Sequence, residues 1–85
     1  MDSVEIQAQV SILIDSWCDR RCLKALREIL AGWPIGSGLT DDWARLGESL
    51  KSVRALAREE LEEGEIETVE RLIADVDRLV FRGHS

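Results

Sequence analysis

Between Ile6 and Trp33 the apolar residues trace two helical stripes that point in opposite directions, and one straight helix cannot bury both. At about 100° per residue, Ile6, Val10, Leu13, Ile14 and Trp17 centre on one side. Carried forward, the same rotation puts Cys22, Leu23, Leu26, Ile29, Leu30 and Trp33 on the other. A chain of 85 residues has only one small core to offer, so both stripes have to face it. The chain must therefore turn, and residues 18–21 are where the stripe changes sides. Asp19 is expected to cap the second helix, with Arg20 and Arg21 near the carbonyl end of the first, where positive charge is favoured.

One competing pattern occupies the same ground. Val4, Ile6, Ala8, Val10, Ile12 and Ile14 alternate with a strand's period of two. No second strand candidate exists in the chain, so a strand here would need a partner from another molecule. The helical reading is preferred, with the intermolecular strand as its alternative.

The second half is plainer. Thr40 is an expected N-cap, with Asp41 and Asp42 in the first turn, where negative charge meets exposed N–H groups. Trp43, Leu46, Leu50, Val53, Ala57 and Leu61 then recur at steps of three and four. Gly64 is the expected stop, since glycine enters the left-handed conformation at little cost. Ile66, Val69, Ile73, Val76 and Val80 repeat the pattern, widened by Leu72 and Leu79, with Arg78 and Arg82 at the far end. "GWPIGSGL", residues 32–39, is the one long connection, and Trp33 and Ile35 predict that it packs back onto the bundle. The expectation is one all-α domain over residues 1–85, a four-helix bundle with helices at about 3–18, 20–32, 40–62 and 66–82.

Composition narrows the functional classes. The chain is 45% hydrophobic and 33% charged, as globular domains are, with a net charge of −6. That balance disfavours nucleic acid as a main partner. No uninterrupted apolar run exceeds three residues, far short of a membrane span or a leader's apolar segment. Two cysteines without an export signal point to a reducing compartment, so a cytoplasmic location is expected. A core this small also predicts self-association or unusually good packing, and a homodimer is the expected form.

Groups that carry chemistry are scarce. Cys18 and Cys22 are four apart, with Arg20 and Arg21 between them. A closed zinc site needs four ligands, and the chain adds only His84. A thiol beside arginines has thiolate character, so a redox or metal role for the pair is an alternative, with structural cysteines the preferred reading. "GSGLTDD" lacks the lysine and strand–loop–helix setting of a phosphate loop. Tyrosine is absent and the single histidine is His84, so an enzyme is not expected and neither a cofactor nor a metal is implied.

Two charged stretches and three tryptophans remain. "REELEEGEIE", residues 58–67, carries six glutamates, while Arg20, Arg21, Lys24 and Arg27 form the only basic cluster. They are expected to be solvated faces, to pair with each other within or between chains, or to meet a partner. Trp17, Trp33 and Trp43 flank the corners of the chain. With Arg20 and Arg21 they make the candidate surface for a protein partner, should the tryptophans be exposed. The functional expectation is a non-enzymatic protein-interaction or regulatory module. Its alternative is a dimeric nucleic-acid-binding regulator of the ribbon-helix-helix kind, using the N-terminal strand.

Overall fold

The computed structural model describes residues 3–36 and 40–83. Among them the chain is all-α, with four helices and no strand: α1 (Ser3–Asp19), α2 (Leu23–Leu30), α3 (Thr40–Leu56) and α4 (Glu63–Gly83), with a 3₁₀ turn at Arg58–Glu60. The four pack as a ring. α1 touches α2 and α4, α2 touches α1 and α3, and α3 and α4 share the most extensive contact. The molecule measures 39 × 22 × 20 Å, and its long axis follows from the 21 residues of α4, which span about 31 Å at 1.5 Å each.

The opposed stripes resolve as the sequence requires. Ile6, Val10, Leu13 and Trp17 of α1 are buried, as are Cys22, Ala25 and Ile29 around α2. α3 contributes Trp43, Leu46, Leu50 and Val53, and α4 contributes Val69, Leu72, Ile73 and Val76. Residues 4–14 lie in α1, so the intermolecular strand of the ribbon-helix-helix alternative is not formed. Total accessible surface is 5261 Å², against roughly 5,100 Å² for a folded monomer of this mass. The residues of the core are thus buried within one chain.

The corner between α1 and α2 has a definite chemistry. The Cys22 N–H bonds the Trp17 carbonyl at 2.8 Å, the Arg21 N–H bonds the Cys18 carbonyl at 3.3 Å, and Arg21 sits at φ 59°. These are the two bonds and the left-handed residue of a Schellman ending, with arginine where glycine is usual. Its hydrophobic contact is supplied by Trp17 and Cys22, both buried.

Several boundaries differ from expectation. α2 starts at Leu23 rather than 20, because residues 20–22 are spent on the Schellman turn. It buries only the narrow seam of Cys22, Ala25 and Ile29, which leaves Leu23 and Leu30 exposed. α3 ends at Leu56, and Gly64 is not a stop but lies in the first turn of α4. The start of α4 is set instead by Glu65, whose Oε1 accepts the Glu62 N–H at 3.1 Å, half of a capping box. Bending at Ala57 carries Glu59 and Glu60 onto α2, a gain that continued helix would forgo. α3 begins at Thr40, and the Thr40 cap expectation rests on a side chain outside the described set. Half-buried Trp33 and Ile35 pack on the core, as the loop reading predicts. Gly32 lies so close to α3 that a Cβ there would sit 2.7 Å from the Arg45 carbonyl oxygen.

Candidate functional site

The basic cluster and the glutamate stretch meet at one end of the bundle, where the α1–α2 corner abuts the α3–α4 corner. Arg20 is the hub. Its Nη1 donates to Glu65 Oε2 at 2.6 Å and to Ser16 Oγ at 3.3 Å, and lies 3.6 Å from Glu62. Its Nη2 donates to the Glu60 carbonyl at 2.8 Å and to Cys22 Sγ at 3.4 Å. The Cys22 thiol in turn donates to the same Glu60 carbonyl at 3.6 Å.

The remaining contacts tie α2 to the 3₁₀ turn. Lys24 Nζ pairs with Glu59 at 2.6 Å, and the Ala25 N–H donates to Glu60 Oε1 at 2.9 Å. Ala25 is the third residue of α2, so Glu60 does the capping expected of Asp19, from 35 residues away. Asp19 cannot do it, because it is the last residue of α1 and the Schellman turn intervenes. The local N-cap residue, Cys22, makes no side-chain cap bond.

Electrostatics follow the geometry. Burial pushes the Glu65 carboxyl up, but Arg20, the Glu62 N–H and the nearby Trp17 indole together hold it below the ordinary glutamate range. Its side chain is only 13% exposed, against 31% for Arg20. Arg20 is raised above its ordinary value, chiefly by its hydrogen bond to Glu65. On the surface, the Lys24–Glu59 hydrogen bond raises the lysine and lowers the glutamate. The Trp17 Nε1 is buried and close enough to Glu65 to favour its charge, yet meets no partner at full hydrogen-bond geometry.

Of the five residues expected to form a partner surface, Trp17 and Trp43 lie in one core cluster with Trp33 packed against it. Trp17 and Trp43 are core residues and present no face to a partner, because each fills an apolar stripe of its own helix. Arg20 is consumed by the clasp, Trp33 is half-buried, and Arg21 is exposed. Cys18 is exposed and Cys22 buried, both as free thiols. Among the described residues no three potential metal ligands come together, and His84 lies outside them. No described helix is long and apolar enough to cross a membrane.

Comparison with known proteins finds no family model, no curated protein and no solved structure that matches this chain.

What sequence reasoning misses is a set of exposed apolar side chains. Among the described residues the exposed large hydrophobics are Val4 and Ile12 on α1, Leu23 and Leu30 on α2, Leu56 on α3 and Phe81 on α4. Four of these six belong to the first hairpin. The signal is present in the strand-like alternation of residues 4–14, which marks α1 as apolar on more than one side.

Proposed function

We propose that this chain is a small non-enzymatic protein-interaction module whose working surface is the outer face of the α1–α2 hairpin. The observation that carries the reading is the concentration of exposed Val4, Ile12, Leu23 and Leu30 on that hairpin, in a chain that buries its own core. Exposed apolar surface concentrated on one element is a mark of a protein contact, and the first hairpin holds four of the six exposed large hydrophobics among the described residues. The polar groups best suited to chemistry support the same reading. Arg20, Lys24, Cys22, Glu60 and Glu65 are all engaged in holding one corner to another. A cytoplasmic location accords with the two free thiols.

The test is capture from a lysate of the source organism by tagged wild type, Ile12→Glu and Leu30→Glu. Both substitutions fall on exposed positions, so all three proteins should melt alike. The module reading expects the captured set to shrink with each variant. A captured set indifferent to both substitutions, or a turnover activity in the purified chain, contradicts it.

A further inference from the structure

We infer that the outer face of the first hairpin is self-complementary and pairs with the same face of a second copy of this chain, α1 against the partner's α2 and α2 against the partner's α1. The inference rests on the interaction-module reading and supplies its partner.

Charge decides the pairing. On the outer side of α1, exposed Val4 and Ile12 are followed toward the corner by exposed Asp15 and Asp19, and α1 contains no lysine or arginine. On α2 and the corner before it, Arg21 and Arg27 flank exposed Leu23 and Leu30. None of these four charges takes part in an ion pair among the described residues, whereas Arg20 and Lys24 are already matched by Glu65 and Glu59. The internal clasp thus sorts the basic cluster, leaving outward only the two arginines it does not use.

An apolar ridge edged by acid therefore lies beside an apolar ridge edged by base, on adjacent helices turned to one core. A two-fold axis between two such hairpins places acid against base twice, as a self-complementary contact requires. Parallel pairing of α1 with the partner's α1 would set Asp15 and Asp19 against their own copies, and like charges disfavour that register. The apolar ridges supply affinity and the charges supply register. Because each chain buries its own core, the association is reversible and concentration-dependent.

Sedimentation of the purified full chain over a concentration series tests this, with two charge-reversed variants. One carries Asp15→Lys and Asp19→Lys, the other Arg21→Glu and Arg27→Glu. Each alone sets like charge on like at both halves of the contact, and its dimer should weaken at least about tenfold. An equimolar mixture should recover a heterodimer within about threefold of wild type, since both halves are then complementary again. Thermal melts check that the variants fold, and the single changes Asp15→Lys and Arg27→Glu repeat the test should a double variant not. Wild type that stays monomeric at about 1 mM overturns the inference, as does a dimer indifferent to both reversals. So does a mixture that fails to recover. Failure of the module reading is a separate result, since it shows as lysate capture unaffected by Ile12→Glu and Leu30→Glu whatever the chain's own oligomeric state.

Discussion

Arg21 occupies the one left-handed position among the described non-glycine residues, and its side chain is exposed. The strain there is backbone strain, a cost of about 1–2 kcal/mol for a residue with a Cβ. Glycine removes that cost but adds about 0.5–1 kcal/mol of unfolded-state freedom. Arg21→Gly should therefore raise stability by up to about 1 kcal/mol, read as a higher urea midpoint with unchanged slope. A lower midpoint would mean that the arginine side chain holds the corner. Its neighbour behaves in the opposite sense. By sequence Arg20 is a second surface arginine near a helix end, but its contacts with Glu65, Ser16, Glu62, Glu60 and Cys22 make it the hub of the clasp. Cys22, by sequence, is a thiol in an apolar setting. It is buried, yet it accepts from Arg20 at 3.4 Å and donates to Glu60 at 3.6 Å, distances that suit sulfur and that the shorter C–O bond of serine does not reach, so Cys22→Ser should cost about 1 kcal/mol.

At the scale of elements, what the sequence makes legible is whatever depends on periodicity. The opposed stripes require a turn near residue 20, and steps of three and four place the cores of α3 and α4. Helix ends depend on tertiary partners and are harder to read. Gly64 carries the local signature of a stop, but Glu65 caps α4 two residues before it, at Glu62. Two substitutions probe how glycine is used. Nothing lies within 4 Å of a Cβ at Gly64, so Gly64→Ala should gain about 0.5–1 kcal/mol as a helical position and would lose stability at a left-handed stop. Gly32→Ala should cost about 1–3 kcal/mol, because the Arg45 backbone cannot retreat from the new methyl and α2 must move off α3. Chemical denaturation of both variants beside wild type decides each. The exposed side of α2 is hidden from periodicity for a related reason. An eight-residue helix buries a narrow seam, so Leu23 and Leu30, which fit its stripe by spacing, face outward.

As a whole, the molecule is two helical hairpins locked corner to corner. Basic and acidic stretches of opposite sign are visible in the sequence, as is the option that they pair. That they pair within one chain, and which arginines are spent doing so, follows only from the corner geometry. The clasp has a pH signature. Glu65 is depressed in the folded state, so its contribution is complete above its unfolded value, near about 4.3. It is lost as pH falls from there through the depressed folded value. Urea midpoints should therefore drop more steeply on acidification in wild type than in Glu65→Gln, which has no proton to take up. Arg20 and Glu65 hold the hairpins together, and a double-mutant cycle of Arg20→Ala and Glu65→Ala in urea measures that coupling alone. With Glu65 largely buried and Arg20 partly screened by solvent, the expected coupling is about 1–2 kcal/mol. A coupling under about 0.3 kcal/mol, as for an ordinary surface pair, would contradict it.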